Sequence, residues 1–401
     1  MSNGRSARRA WAGAAVGLLL ALCCSGAASP SASTHAVSKP LRLKFSLTQI
    51  TNTFAAMSAL KPLASRGKGS IAVILPNDAS AVHFSEFDKP YMTAAFKEAG
   101  LRKSGYSVWL TRASDQYSVA KKVISNGARV LVIDARYSGA GVRIESYARA
   151  HGVPVIDYDW LTLGGSRSYY VGFDSLKIGV LLGEGLVNCV AAWHVTDPQV
   201  IVMSGDAATD YNAPLYAEGY DAILAREFAS GWKDVSNPPG TWTPSIALAE
   251  FQQQYSANGN INAALIPNDE VGAPIIAYLQ SKGIKPDTFP TTGLDATVPG
   301  LQNILSGYQC GTVYKPIYLE AQAAAALALY IRAQVRPPVS LLNWSIRDPQ
   351  TNASVPAVLL TPEWVTSANM RSTVIADKFV TAAQLCTSKY VSACAAAGIV
   401  R

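Results

Sequence analysis

The sequence predicts an α/β chain built as two successive open sheets of mainly parallel strands, and three observations predict it. Short runs rich in Val and Ile alternate with helical patterns of ten or more residues, the signature of strand–helix–strand units. The helices close on Gly or Asn-Gly, which stops a helix cleanly before the next strand. After "SYYVGFDS" the same rhythm starts again, so two sheets of about a hundred residues or more fit better than one sheet of ten or more strands.

The regular pattern begins at "GSIAVILPND", a buried strand ended by Pro-Asn-Asp. The helix "KPYMTAAFKEAGL", the strand "YSVWLT", the helix "QYSVAKKVISNGA" and the strand "RVLVIDA" follow. The helix "AGVRIESYARAHG" leads into the strand "VPVIDYD". Right-handed crossovers between parallel strands are the expected connection. The second half reads as helix "LKIGVLLGEGLVNCVAAW", strand "QVIVMSG", helices "APLYAEGYDAILAREFAS" and "PSIALAEFQQQYSAN", strand "INAALIPND", helix "EVGAPIIAYLQSKG", strand "FPTTGLD" and helix "VPGLQNILSG". "CGTVYKPIYLEAQAAAALALYIRAQ" reads as a strand running into an Ala-rich helix. Beyond Val335, "RPP", "RDPQTNAS" and "LLTPEW" predict irregular chain.

Arg5, Arg8 and Arg9 precede the apolar run "AWAGAAVGLLLAL" and the small residues "CCSGAASPSAST". This is the pattern of a secretory signal over residues 1–28, too short for a transmembrane helix. Cys23 and Cys24 offer a lipid anchor as the alternative to cleavage near Ala28, although "LAL" stands where a lipobox has a small residue. Residues 29–68 read as a tether with a short amphipathic helix. Removing the three arginines takes the net charge from +7 to 7 − 3 = +4, with no long basic run, which argues against a nucleic-acid partner. Cys189, Cys310, Cys386 and Cys394 then remain, and an even number in an oxidising compartment suggests two disulfides with three possible connectivities. Cys386 and Cys394 are close enough in sequence for a local loop, which leaves Cys189 with Cys310.

Ligands of open α/β sheets sit beyond the carboxyl ends of the strands. Those ends carry Asn77-Asp78, Arg136-Tyr137, Asp157-Tyr158-Asp159-Trp160, Asp206 with Asp210-Tyr211-Asn212, Asn268-Asp269 and Asp295. Any one of these could be a helix cap or turn former. As a set, carboxylates and amides that satisfy vicinal hydroxyls, interleaved with aromatics that stack on C–H faces, suit a neutral polyol. Neither a P-loop nor G-x-G-x-x-G is present, so phosphate and nucleotide ligands, and with them a cofactor, are not expected. There is no G-x-S-x-G, no H-E-x-x-H and no His cluster with metal spacing, so the residues read as a two-lobed sugar binder without catalysis. Of the four histidines, only His83 falls in a strand-end loop.

"VIDYDWLTLGGSRSYYVGFDS", "TDYNA", "PNDEVGA", "GLDAT" and "CGTVYKPI" occur in an order and spacing that resembles bacterial periplasmic pentose-binding proteins of type I, above all the D-xylose-binding component of an ABC importer in its actinobacterial form. The resemblance covers residues 69–394. It implies two Rossmann-like lobes, residues 69–173 with 314–345 and residues 174–313 with 346–376, followed by a disulfide-stapled tail over 377–401. It implies three crossovers, near residues 173–174, near 312–314 and after Val335. Carried over residue by residue, it implies sugar contacts at His83, Phe84, Asp159, Trp160, Asp210, Asn212, Trp242, Asn268, Asp295 and Lys315. Two of these depart from the family: His83 and Trp160 stand where its members have arginines, so the sugar class is expected to persist and the preferred sugar to differ. Cys189 and Cys310 match cysteine positions of the actinobacterial members, which supports their pairing. The implied function is an exported, monomeric receptor that gives a monosaccharide, a pentose such as xylose or a related sugar, to an ABC permease. A sensor feeding a membrane signalling partner and a carbohydrate-acting enzyme are the alternatives.

Overall fold

The computed structural model describes residues 43, 45–77, 81–208, 210–236 and 238–400. The expected signal segment, Cys23, Cys24 and the first part of the expected tether lie outside them. Helical turns at Leu47–Gln49 and Ala55–Leu60 lead into α1 (Lys61–Arg66). Then come β1 (Ser70–Pro76), α2 (Lys89–Glu98), β2 (Tyr106–Thr111), α3 (Gln116–Ser125), β3 (Ala128–Ile133), α4 (Ser138–Ala150), β4 (Val155–Tyr158) and β5 (Tyr169–Phe173). The second series is α5 (Ser175–Ala192), β6 (Gln199–Val202), α6 (Asn212–Ser230), β7 (Lys233–Ser236), α7 (Pro244–Ala257), β8 (Ala263–Leu265), α8 (Asp269–Ser281), α9 (Val298–Leu305) and β9 (Thr312–Tyr314). The chain ends with α10 (Ile317–Arg332), β10 (Trp344–Arg347), β11 (Ser354–Leu360), β12 (Glu363–Val365), α11 (Ala382–Leu385) and α12 (Val391–Ala396).

The first sheet has the order β10-β11-β5-β4-β3-β1-β2 and is parallel except for the β10–β11 hairpin. The second is β7-β6-β8, continued by single parallel bridges from Ala264 to Thr291 and from Leu294 to Val313, where β9 pairs antiparallel with β12. Because β1, β3 and β4 bury nearly every residue, they read as continuous apolar runs, as parallel strands covered on both faces do. The Ala-rich α10 is buried along almost its whole length. Small side chains let it lie close against the sheet on one side and the N-terminal segment on the other.

Helix α5 is 18 residues long and apolar enough to cross a membrane by composition. It is instead a core helix, half buried and packed on α6 at glycines. A Cβ on Gly179 would sit 2.1 Å from the Tyr216 carbonyl oxygen and one on Gly219 would sit 2.4 Å from that of Leu176, so neither position admits a side chain. Asp174 caps this helix by accepting from the Lys177 N–H at 3.0 Å.

The expected layout needs correction in three places. Residues 346–376 were placed in the second lobe, yet β10 and β11 extend the first sheet, and the chain returns to the second only at Glu363. The third crossover is therefore at residues 361–362, not directly after Val335. The segment beyond Val335 reads as irregular because "RPP", "RDPQTNAS" and "LLTPEW" interrupt it, and Pro356 interrupts the strand between them as well. Ladder pairing of β11 with β5 begins only at Ala357, so the proline's missing N–H costs no hydrogen bond there. "FPTTGLD" forms two isolated bridges rather than a strand, and the polar strand β7 passed unread. The other two crossovers run from β5 into α5 and from β9 into α10.

The expected tether is packed chain from Phe45 onward: Phe45, Ile50, Met57, Leu60 and Leu63 are buried. The Thr51 carbonyl accepts from Gln322 Nε2 at 2.9 Å, and Asn52 Nδ2 donates to the Ala376 carbonyl at 3.1 Å. Cys189 of α5 is bonded to Cys310, and Cys386 to Cys394. The second bridge pins a tail whose Leu385 and Ile399 share a core with Leu301, Tyr314 and Val365. Leu60→Ala is expected to lower stability by about 2–5 kcal/mol through the cavity it leaves. Urea unfolding measures this, and an unchanged midpoint would show that the segment contributes nothing.

Candidate functional site

Strand β4 is buried throughout and ends at Tyr158, after which Asp159 turns the chain with φ 58°. Asp is one of the few residues that enter this left-handed region at modest cost. Its N–H donates to the Val171 carbonyl at 2.9 Å. Its own carbonyl accepts from the Tyr170 hydroxyl at 2.9 Å and from Asn212 Nδ2, in the other lobe, at 3.2 Å. With the backbone pinned on both sides, the carboxylate meets Lys315 Nζ at 3.2 Å. Trp160 follows, half-buried, with the Arg136 guanidinium 4.8 Å from its ring.

Beyond β1 the chain makes a wide helical turn, Phe84–Asp88, that brings residues five apart onto one side. His83 Nδ1 lies 2.8 Å from Asp88 Oδ2, and the Tyr158 hydroxyl donates to the other oxygen of Asp88. Burial opposes charge on His83, but the Asp88 carboxylate outweighs it and holds the imidazole pKa above its usual value. The Phe84 ring packs 4.1 Å from that of His83.

Asp295 and Ala296, in the second lobe, also have positive φ, at 88° and 49°. The Asp295 N–H is held by the Val313 carbonyl at 2.9 Å. Its Oδ1 lies 3.4 Å from Lys315 Nζ, close enough for an ion pair, yet this buried oxygen accepts no hydrogen bond from any described residue. Lys315 is 4 % exposed; burial works against its charge, but Asp159 and Asp295 together hold its pKa well above the ordinary lysine value. Asn268 caps α8, its Oδ1 accepting from the Val271 N–H at 2.9 Å. Trp242 packs over Gly205 and donates Nε1–H to Asp210 Oδ2 at 2.8 Å, while Asp210 Oδ1 accepts from the Asn212 N–H at 2.6 Å. Burial pushes the Asp210 carboxyl up to about 7 even against those two donors.

All of the ten predicted contact residues except Asp210 and Asn212 line one cavity of about 40 Å³ between the lobes. At about 10–15 Å³ per water it holds only a few waters. Asp210 and Asn212 stand one layer back: the first orients Trp242, and the second ties the Asp159 carbonyl to the second lobe, with its Oδ1 accepting from the Ser175 hydroxyl at 3.0 Å. Ala81, Arg136, Tyr216 and Leu294 also line the cavity and were not among the ten. Tyr216 was legible, because it lies one helical turn after Asn212 on α6 and so shares its face. Arg136 was visible as a strand-end residue, but nothing in the sequence separated it from a turn. Behind the cavity, Asp134 and Glu320 are buried acids whose pKa values burial, reinforced by the Asp159 charge, drives well above the carboxylate range. Among the described residues no His, Cys, Asp or Glu cluster has the arrangement of a metal site. The walls therefore combine fixed donors and acceptors with aromatic faces.

Residues 71–333 match the family described as periplasmic binding protein domain. The D-xylose-binding periplasmic protein of Escherichia coli (strain K12) is 31% identical over 269 residues, covering 66% of this chain and 77% of that protein. The multiple sugar-binding periplasmic protein SbpA of Azospirillum brasilense is 27% identical across 80% of this chain and 93% of its own length. Among solved structures, a carbohydrate transporter solute binding protein from Chloroflexus aurantiacus, in complex with D-glucose, gives a TM-score of 0.68 over 78% of this chain and 97% of that one, at 22% identity.

Replacing Lys315 by Met is expected to cost about 3–5 kcal/mol, because two buried carboxylates lose their counter-charge. Chemical denaturation reads this loss, and a neutral result would mean that the pair is not formed in solution. Asp210 supplies a pH signature. Its folded pKa lies above the unfolded value, so its contribution is full below about pH 4 and is lost as pH rises through about 7. Thermal melts from pH 4 to 8 should show wild type losing a few kcal/mol relative to Asp210→Asn. Parallel curves would place this carboxyl at its ordinary value.

Proposed function

Since this chain belongs to the periplasmic binding protein domain family, we propose that it is an extracytoplasmic receptor that captures a monosaccharide, a pentose such as xylose or a related sugar, between its lobes and delivers it to an ABC permease. The observation that carries the reading is the buried Asp295 oxygen without a donor, set among Asp159, Lys315 and Asn268 and faced by Trp242 and Phe84. A buried acceptor left unsatisfied costs about 1–3 kcal/mol, and a sugar hydroxyl supplies the missing donor. In this reading Asp159 and Asp295 accept from hydroxyls, while Lys315, Asn268 and His83 donate. Trp242, Phe84 and Trp160 cover the C–H faces. Asp210 and Asn212 act by setting Trp242 and Asp159.

Relatives named for xylose and for multiple sugars support the ligand class. Their being named periplasmic supports an extracytoplasmic site, and the leader of this chain fits export with cleavage near Ala28 or a lipid anchor at Cys23 or Cys24. The relatives are named as binding proteins, which supports a receptor without catalysis, and in this reading it acts as a monomer. The cavity is smaller than a pyranose needs. The sugar therefore enters with the lobes apart and shifts the population toward the closed form.

A thermal-unfolding panel of xylose, ribose, arabinose, glucose and galactose tests this. A ligand at a thousand times its dissociation constant should add about 4 kcal/mol and raise Tm by several degrees. Asp295→Ala should abolish the shift while the sugar-free protein still unfolds cooperatively. The absence of any shift with wild type across monosaccharides would overturn the reading.

A further inference from the structure

Resting on the receptor reading above, we propose that Asp88 is a positioning residue for the sugar: it holds Nδ1 of His83, so that Nε2 is left to the ligand space and carries the hydrogen that a sugar hydroxyl accepts. Asp88 is fully buried, and both of its oxygens are used. One lies 2.8 Å from His83 Nδ1, and the other accepts from the Tyr158 hydroxyl at the end of β4. The turn Phe84–Asp88 brings His83 and Asp88, five residues apart, onto one side, and the Phe84 ring packs 4.1 Å from the imidazole. His83 is itself buried and lines the cavity with Asp295 and Lys315. Among the described residues its ring bonds to Asp88 alone, through Nδ1.

A neutral imidazole has two nitrogens and one hydrogen. An ionised carboxylate only accepts, so it fixes that hydrogen on Nδ1, and the neutral ring turns a bare Nε2 to the ligand. With one more proton on the pair Nε2 becomes a donor, whether the proton shared across the 2.8 Å contact sits on Nδ1 or on Asp88. The surrounding charges favour this state. Burial of His83 and the Lys315 ammonium oppose its charge, but Asp88, aided by Asp295, outweighs them and raises the imidazole pKa. Of the other groups nearby, Asp159 is engaged by Lys315, and Arg136 and Tyr216 line the same cavity. The donor is therefore fully present below about pH 6.5 and is lost as pH rises through the raised value.

Isothermal titration between about pH 5.5 and 9, with whichever of xylose, ribose, arabinose, glucose and galactose raises wild-type Tm most, tests the assignment. Asp210 also titrates in this range, at about 7, so the quantity read is the difference between wild type and His83→Gln. Relative to that variant, wild-type affinity should fall about 10-fold with rising pH, the gap between a charged and a neutral hydrogen bond. Binding should also take up more protons where the ring titrates. Asp88→Asn keeps the size and an acceptor but not the charge, so the extra fall and the extra proton uptake should both disappear. A merely structural role for Asp88 would weaken binding equally at every pH and leave the slope in place. Should Asp88→Asn lower the melting temperature of the sugar-free protein, Asp88→Glu, which keeps the charge, should restore the slope. No pH-dependent difference between wild type and His83→Gln, or a difference that Asp88→Asn retains, would overturn the proposal. A wild type that binds no monosaccharide would instead overturn the receptor reading, and this inference with it.

Discussion

One buried ammonium organises the centre of this molecule. Lys315 follows β9, at the second crossover between the lobes, and it meets Asp159 from the first lobe and Asp295 from the second. A lysine removed from water costs several kcal/mol unless opposite charges surround it. The two carboxylates that supply them come from sequence positions 136 residues apart (295 − 159), so the lysine is satisfied only when both strand ends converge on it. Each aspartate reaches it by adopting a positive φ, a strain that persists where the surroundings over-determine it. For Asp159 those surroundings are Val171, Tyr170 and Asn212, and for Asp295 they are Val313.

Around this centre the fold raises the pKa of buried acids rather than removing them. Asp134, Glu320 and Asp210 are all buried, and burial raises each pKa. Ionising all of them beside Asp159 and Asp295 would set like charges against each other in a poorly screened interior. Raised pKa values favour their neutral forms, which spare the wall that repulsion. Glu145 and Asp157, farther along the first lobe, follow the same rule: Asp157 accepts from the Thr162 N–H at 2.7 Å and Glu145 from the Ser166 N–H, yet burial raises both. With Thr162 held by Asp157 and Ser166 by Glu145, the two buried acids fix the loop that follows Trp160.

What could be read in advance follows from the range of the interactions involved. β1, β3 and β4 were legible because burial on both faces writes itself into every residue, and helix ends were legible because Gly and Asn act locally. Asp159, Asn268 and Asp295 were found because strand ends of an open sheet converge on one place whatever the ligand. β10 and β11 were hidden because their partner, β5, lies some 190 residues earlier (357 − 170 = 187), and only that pairing makes the segment regular. β7 was hidden because a polar edge strand has no apolar pattern to show. The placement of Asp210 and Asn212 behind the wall rather than on it depended on rotamers set by Trp242 and Ser175, which no spacing encodes. The place of Arg136 on the cavity wall was not legible, since its contact with the Trp160 ring joins residues 24 apart (160 − 136).

The contacts that draw the lobes together are largely independent of any ligand. Phe87 stacks on Phe379 with centroids 3.8 Å apart, joining the first-lobe turn to the stapled tail. Asn52 donates to Ala376, Asn212 to Asp159, and Lys315 bridges both aspartates. On the receptor reading such contacts would raise the population of the closed form before a sugar arrives, and apparent affinity scales with the fraction of molecules competent to bind. With the lobes in this position the cavity between them is small, at about 40 Å³. On the proposed reading, the Phe87–Phe379 and Asn52–Ala376 contacts bear on how readily the lobes part, whereas Asp295, Lys315 and Trp242 would contact the sugar. Lys315 belongs to both sets, so on that reading ligand choice and closure are coupled through it.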